Sequence, residues 1–171
     1  MTVSPRADTG MPRAMSNPDH HDGFADIEDD HRRVLDLLDD YHDAPNDGLA
    51  HQICIEIALH ARAEEVTLYT HLRALGSGEQ DADVVDGVEL LQRALAEHGE
   101  VETQAARVLA APPIDLTEVM AHIRRGLGAH VGFEEAEILP RLRPLVDPEA
   151  LHADFAAAKE EARSARGTPL F

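Results

Sequence analysis

The sequence has little of what disulfide-bonded, secreted or membrane-spanning proteins need. Among its 171 residues there is one cysteine, Cys54, and no tryptophan, so the chain offers neither a disulfide framework nor a thiolate metal cluster. No run approaches the roughly 18–20 consecutive apolar residues that cross a bilayer. The N-terminal segment also lacks the apolar stretch of a secretory signal. These absences predict a cytoplasmic protein that does not act in a membrane.

Basic residues are scarce as well. Lysine and arginine together number 15 against 33 aspartates and glutamates, which gives a formal net charge of −18. Such a charge repels nucleic acid and acidic membrane surfaces, and no Lys/Arg cluster interrupts it; the one lysine-bearing segment is "AAKEEAR". The sequence therefore predicts no nucleic-acid partner. What it does contain in unusual number is histidine, with 11 residues.

Four long helices are predicted, because apolar residues recur with helical spacing and no segment shows the period-2 alternation of a strand. The first begins near Phe24 and ends at "DAPNDG", and the second follows it and ends at "GSG". The third runs from about Asp83 to Ala110, where "APPID" breaks it. The fourth starts after Asp115, a suitable N-cap, and ends around Pro140.

The connections between these helices are short, which favours antiparallel neighbours. The predicted fold is therefore all-α, an up-down-up-down four-helix bundle over residues 23–143. Residues 1–22 are rich in Pro, Asp, Ser and Gly and lack periodicity, so they are predicted to form a disordered lead. Residues 144–171 are predicted to hold a short extra helix, from about Pro148 to Arg163, and a tail.

Each long helix carries an inward stripe in which ionisable residues stand among apolar ones. Residues at these positions should face the core of a bundle. The predicted stripes are Ile27, His31, Val34, Leu38 and Tyr41 in the first helix; Ile53, Ile57, His60, Glu64, Leu68, His71 and Leu75 in the second; Val84, Val88, Leu91, Leu95 and His98 in the third; and Ile123, Leu127, His130, Glu134 and Ile138 in the fourth.

The ionisable residues form a pattern that occurs twice. "HARAEEVTLYTHL" in the second helix and "HVGFEEAEILPRL" in the fourth both read H-x-x-x-E-E, and their histidines, His60 and His130, are 70 residues apart. His31 and His98, on the preceding helices, are 67 residues apart. The chain thus resembles two helical hairpins, each with a histidine on its first helix and H-x-x-x-E on its second.

A His and a Glu four residues apart lie on one helix face and can bind the same metal ion. The alternatives are a solvated helix face or a hydrogen-bonded set of core residues. Burying four imidazoles and two carboxylates without partners would cost several kcal/mol per charged group, and two cations shared by bridging carboxylates remove this cost. Imidazole and carboxylate without sulfur suit iron or manganese and permit zinc. A two-metal site is the favoured interpretation.

This series of motifs, followed by "EILP", resembles the hemerythrin-like family, also called the HHE cation-binding domain. The resemblance extends from about Asp19 to Arg143. It implies two iron ions per chain, oxo-bridged, with Glu64 and Glu134 bridging them. It implies further that His31 and His60 bind one iron and that His98 and His130 bind the other.

One position departs from the family pattern. The oxygen-carrying members place a second histidine four residues after the histidine of the third helix, and here that position is Glu102. Glu102 is an additional candidate ligand, unless Val101 takes the core position and Glu102 faces solvent. This departure weighs against simple reversible oxygen carriage.

Several neighbours of the motifs are interpreted from their positions on the predicted helices. Glu65 and Glu135 should be solvated, because each points about 100° away from the glutamate that precedes it. Glu135 is also an alternate ligand candidate. Tyr69 should pack near the site with its hydroxyl hydrogen-bonded, rather than bind iron. His42 and His71 lie on inward faces and are candidates to line an access route.

Three functions are compatible with this sequence. The first is a non-haem di-iron protein that binds or reacts with a small oxidant such as oxygen or hydrogen peroxide, including a catalase-like disproportionation. The second is an iron- or oxygen-sensing or iron-handling module that acts through a partner protein. The third is a metal-free bundle. We favour the first, because two His per iron and shared carboxylates leave room for an exchangeable position.

Overall fold

The structure is a computed structural model, and it describes residues 21–75, 82–110 and 115–167. Every regular element in these ranges is helical, which confirms the all-α class. The predicted disordered lead lies almost wholly outside the described residues. The elements are α1 Gly23–Asp43, α2 Asp47–Val66, α3 Leu68–Leu75, α4 Ala82–Ala110, α5 Leu116–Phe133, a π-helical turn Glu134–Ile138, α6 Leu139–Leu142 and α7 Pro148–Gly167.

Side chains just before the helices fix where the helices begin. Asp22 accepts hydrogen bonds from the amides of the first turn of α1, and Asn46 accepts one from the first turn of α2. Asp115 caps α5 through the amide of Glu118, as predicted. Asp147 accepts a bond from an amide in the first turn of α7. Each cap satisfies backbone donors that a helix cannot pair internally.

The four long helices pack in a closed ring. α1 contacts α2, α2 contacts α4, α4 contacts α5, and α5 contacts α1, while α7 packs against both α1 and α2. This is a helical bundle with one additional helix on its outside; the up-down-up-down order of its helices remains a prediction. No helix in the described part of the chain is long and apolar enough to cross a membrane.

The apolar core consists of two clusters, one towards each end of the bundle. One contains Phe24 and Ile27 of α1 and extends to α7, and the other contains Val34 and Leu38 of α1. His31 lies between these pairs on α1. The polar residues of the other helices occupy the same level, so a polar layer separates the two apolar clusters.

The predicted stripe of the third helix was only partly right. Val88 and Leu95 are 39% and 37% exposed, whereas Leu90 and Ala94 are buried with His98. Leu95 and Ala94 precede His98 by three and four positions and lie on either side of it along the helix. Helical periodicity alone therefore fits a stripe through either residue. Packing against the neighbouring helices selects the side that carries the small Ala94.

A break in the second helix explains why His71 is not inward. Thr67 has φ −114° and ψ −81°, outside the helical region, and helix resumes at Leu68 as α3. The break changes the buried face, so that Tyr69 and Leu72 are buried and His71 is exposed. His42, in the last turn of α1, is exposed as well. The prediction that both histidines lie on inward faces was wrong.

Candidate metal centre

The six residues singled out by the repeated motif meet in the polar layer. All are at least 96% buried, and they come from α1, α2, α4, α5 and the π-helical turn. They form two clusters of potential ligand atoms, each with its atoms within 4.8 Å of one another, and Glu64 belongs to both. One cluster is His31, His60 and Glu64, and the other is Glu64, His98, His130 and Glu134.

Glu64 connects the two halves of the site. Its Oε1 is 3.4 Å from His31 Nε2, and its Oε2 is 3.1 Å from His60 Nε2 and 3.2 Å from His98 Nε2. Glu134 also reaches both halves, since its Oε2 is 3.3 Å from His31 Nε2 and 3.6 Å from His130 Nε2. Glu64 is therefore shared by both clusters through its two oxygens, whereas Glu134 approaches both halves through Oε2 alone.

The histidines are arranged in two pairs. The ring centroids of His31 and His60 are 4.8 Å apart, and those of His98 and His130 are 4.3 Å apart. In the second pair the Nε2 atoms approach to 2.8 Å. This pairing agrees with the division of ligands that the family resemblance implies.

Tyr69 closes one side of the site. Its side chain is fully buried, and its hydroxyl donates a hydrogen bond of 2.7 Å to Glu134 Oε1. The hydroxyl oxygen of Tyr69 is also 3.1 Å from His98 Nε2. The expectation of a hydrogen-bonded tyrosine beside the site is confirmed. Burial and the nearby carboxylates Glu64 and Glu134 raise the pKa of Tyr69, so the hydroxyl keeps its proton.

Three of the four histidines are held from outside by a carboxylate on Nδ1. Asp30 is 3.2 Å from His60 Nδ1, Glu97 is 3.3 Å from His130 Nδ1, and Glu135 is 3.0 Å from His31 Nδ1. A carboxylate at this position fixes the tautomer with hydrogen on Nδ1 and directs Nε2 inward, as is usual for metal-bound histidine. In the described structure His98 Nδ1 has no such partner.

The sequence pattern does not single out Asp30 and Glu97, and it predicts Glu135 to be solvated or an alternate ligand. A signal for the first two was present: each directly precedes the histidine of its hairpin's first helix, and they are 67 residues apart, as His31 and His98 are. Glu135 is partly exposed, as expected, but its bond to His31 means that it is not simply solvated. Because it lies at the outer nitrogen, it belongs to neither ligand cluster.

A test of whether metal fits the site comes from its unsatisfied atoms. Among the described residues, every buried side-chain atom without a hydrogen-bond partner belongs to one of these six residues. The contacts of Glu64 Oε1, Glu64 Oε2 and Glu134 Oε2 with the imidazoles are not hydrogen bonds. Since buried polar atoms are normally paired, and cations would satisfy all of these except His98 Nδ1, which lies on the outer side of its ring, the donor set fits metal. The atoms are His31 Nε2, His60 Nε2, both oxygens of Glu64, His98 Nδ1 and Glu134 Oε2.

Without metal, protons take the place of cations. Burial lowers the pKa of His31, but the carboxylates of Glu134 and Glu64 outweigh burial and raise it to about 11. Burial also lowers the pKa of His60, but the carboxylates of Glu64 and Asp30 outweigh burial and raise that pKa to about 9. His130 differs, because burial and the charge of His98 lower its pKa to about 3. The site as a whole thus attracts positive charge.

Glu102 lies beside the site, outside both ligand clusters. Val101 takes the core position and is 4% exposed, while Glu102 is half-buried. Glu102 lines a cavity of about 10 Å³ together with three of the site histidines and apolar residues of α2, α4 and α5. It also lines an open groove on the outer side, between α2 and α4. Its position is therefore between the surface and the buried site.

Comparison with known proteins agrees with this geometry. The family model for the hemerythrin HHE cation-binding domain matches residues 22–142. Neither a search of curated proteins nor a search of solved structures returned a match. The matched range contains all six residues of the two clusters and ends before α7. The chain belongs to the hemerythrin HHE cation-binding family, and its His/Glu clusters make it a candidate metal-binding member.

Proposed function

We propose that this protein is a non-haem di-iron protein that reacts with a small oxidant, and that hydrogen peroxide is the oxidant it consumes. The observation that carries the proposal is the pair of ligand clusters joined by Glu64. One metal ion would need one cluster, whereas two clusters that share a carboxylate suit two ions. The proposed ligands are His31, His60, Glu64, His98, His130 and Glu134.

The chain's own residues orient and restrict this site. Asp30, Glu97 and Glu135 hold three imidazoles with Nε2 directed inward. Tyr69 binds one oxygen of Glu134 and leaves the other for metal. The apolar clusters above and below the layer exclude water, which strengthens electrostatic interactions within it.

The size of the adjoining cavity supports a small substrate. About 10 Å³ is roughly the space for one water-sized molecule, which favours a small oxidant such as oxygen or peroxide over a larger organic substrate. Two irons held by the neighbouring ligand clusters would supply the redox change by which two peroxide molecules become two waters and one oxygen molecule. Glu102 lines the cavity, and in this proposal it accepts a proton from the incoming molecule.

Glu102 also supports peroxide consumption over oxygen carriage. An oxygen carrier needs a ferrous pair that is stable until oxygen arrives. A carboxylate ligand where the carriers have an imidazole would donate charge and disfavour the ferrous state. A weak or absent ligand at that position would instead open a coordination position for peroxide, and both outcomes weigh against reversible oxygen binding. We therefore propose a diferric resting form.

The experiment has two parts. Iron per chain is measured in the wild type, in His60→Ala and in His51→Ala, an exposed histidine on the same helix. We expect iron to fall sharply in His60→Ala alone; full iron in that variant would contradict the ligand assignment.

Peroxide-driven oxygen evolution is then compared between the wild type and Glu102→His. We expect turnover in the wild type and less in the variant. A wild type that shows no turnover but forms a stable, reversible oxygen adduct after reduction would be a carrier. Iron-dependent stability without either reaction would favour the alternative of an iron-sensing or iron-handling module.

A further inference from the structure

Helix α7 lies outside the matched family range, yet it reaches the metal centre. Its buried residues Leu151, Phe155 and Ala158 recur at helical spacing and join the apolar cluster that includes Phe24 and Ile27. The Phe155 ring packs edge-on against His60, with the centroids 6.0 Å apart. The backbone of α7 also comes so close to Gly23 that a Cβ there would lie 2.4 Å from the amide nitrogen of His152.

One polar contact connects α7 to a proposed ligand. Lys159, the only lysine in the sequence, forms an ion pair with Asp30 Oδ2. The same oxygen of Asp30 is 3.2 Å from His60 Nδ1. The Lys159 and Asp30 side chains are only 13% and 15% exposed, so solvent screens this contact less than it screens a surface ion pair.

The other half of the site has an equivalent contact built from different parts. Glu97, which is 3.3 Å from His130 Nδ1, accepts a hydrogen bond of 2.8 Å from Arg93 Nε. Arg93 lies one turn before Glu97 on α4 and stacks on the Phe133 ring, 3.7 Å from its centroid. In each half, a cationic side chain therefore contacts the carboxylate that is hydrogen-bonded to a site histidine.

From this arrangement we propose that Lys159 is a positioning residue of the metal centre: by holding Asp30 against His60, it makes metal binding depend on the docking of α7. The proposal rests on the proposed function, since His60 must be a ligand. It adds a residue that lies beyond the family domain. Linkage requires the converse too: metal bound at His60 must strengthen the docking of α7.

The orientation of the Asp30 side chain matters for His60. A carboxylate that lies between a cation and an imidazole is held in one orientation by its contacts with both. Without the lysine, Asp30 can turn towards solvent and leave the Nδ1 hydrogen of His60 unpaired. Replacement of a carboxylate that supports a metal-bound histidine lowers metal affinity by about 10- to 100-fold, and loss of Lys159 would act through such a carboxylate. The matched contact made by Arg93 does not depend on α7, so a change at Lys159 should affect the His31/His60 half of the site most.

The test compares iron affinity, by competition with a chelator, in the wild type, Lys159→Met, Lys159→Arg and Arg163→Met. Arg163 is the control, because it is also on α7 and its ion pair in the described part of the chain is with the exposed Glu160. We expect Lys159→Met to weaken iron binding about 10- to 100-fold. Lys159→Arg should restore most of the affinity, and Arg163→Met should leave it unchanged.

A second readout uses the fact that the chain has a single lysine. The rate at which an acylating reagent modifies Lys159 is followed by mass spectrometry with and without iron. We expect iron to slow the modification, because it stabilises the docked α7. Unchanged rates, or a Lys159→Met variant that binds iron like the wild type, would overturn the inference. If the wild type itself binds no iron, the proposed function fails instead.

Discussion

The two halves of the bundle place the same groups around the site but support them differently. The first half, formed by α1 and α2, contributes His31, His60 and Glu64. The second half, formed by α4, α5 and the π-helical turn, contributes the matching residues His98, His130 and Glu134. In the first half the supporting cation, Lys159, comes from a helix 129 residues further along the chain than Asp30. In the second half Arg93 and Glu97 are neighbours on one helix.

The halves differ again beyond the second glutamate. After Glu64 the helix breaks at Thr67, and Tyr69 turns inward to bind Glu134. After Glu134 the chain forms a π-helical turn, a feature that is frequent at functional sites, and Leu139 occupies the place that matches Tyr69. A repeated set of His and Glu residues is thus compatible with unequal surroundings, and the two irons of the proposed site should not be equivalent.

The largest expected effect separates the two glutamates. Glu64 belongs to both ligand clusters and Glu134 to one, so Glu64→Ala should lose nearly all bound iron, while Glu134→Ala should keep part of it at His31 and His60. Metal analysis of both purified variants measures this difference. Equal losses would show that the two carboxylates are interchangeable and that the halves are alike.

The pH dependence of the metal-free protein should set His130 apart from the other three histidines of the site, whose pKa values are raised. His31 and His60 have folded-state pKa values of about 11 and about 9, above the ordinary 6.5. The folded chain therefore binds more protons than the unfolded chain above pH 6.5, and its free energy of unfolding should fall as the pH rises to 9 and beyond. His130, with a pKa of about 3, has the opposite effect: its contribution to stability is lost as the pH falls from 6.5 to 3.

Urea unfolding of chelator-treated protein at several pH values tests this prediction. A free energy of unfolding that is largest near pH 6.5 is expected. Because metal binding releases the protons of the site, the iron-loaded protein should not lose stability between pH 6.5 and 9. A metal-free protein that becomes more stable over that interval would contradict the pKa assignment.

Matched substitutions of the supporting carboxylates compare the halves directly. Asp30→Asn and Glu97→Gln should each lower iron affinity by about 10- to 100-fold, as judged by chelator competition. Asp30→Asn should have the larger effect, since it also leaves Lys159 largely buried without its anion. Arg93 keeps its contact with Phe133 in Glu97→Gln. A larger effect of Glu97→Gln would mean that α7 does not support the site.

The smallest effect concerns the packing of α7 alone. Gly23→Ala puts a methyl group against the backbone of α7, and crowding of this kind costs about 1–3 kcal/mol. Gly128→Ala is the control, because a Cβ there meets nothing within 4 Å and alanine favours a helix by about 0.5–1 kcal/mol. Urea unfolding should show a loss in the first variant and no loss in the second.

Much of this arrangement could be predicted from the sequence, because helical periodicity and the repeated His and Glu positions are local signals. They predicted the helices and the meeting of six residues in the core. They could not predict the buried side of α4, since stripes on either side of His98 have the same period. The break at Thr67, which exposes His71, also has no clear signal in a stretch without proline or glycine.

The contacts around the ligands were harder to predict for a physical reason. Asp30 and Glu97 sit on exposed-looking helix positions, and their role depends on how neighbouring helices are rotated in the bundle. The ion pair of Lys159 with Asp30 joins residues 129 positions apart, so only the docking of α7 brings them together. Such contacts are properties of packing, which the linear pattern does not contain.

The most direct test of the account is the iron stoichiometry of the wild type. Chelator-treated protein is titrated with ferrous iron without oxygen, and bound iron per chain is measured after gel filtration. We expect saturation at about two irons per chain, with a thermal midpoint that rises as iron binds, because metal bound only by the folded state stabilises it. Saturation at one iron, or no binding and an unchanged midpoint, would contradict a site that joins the two halves through Glu64.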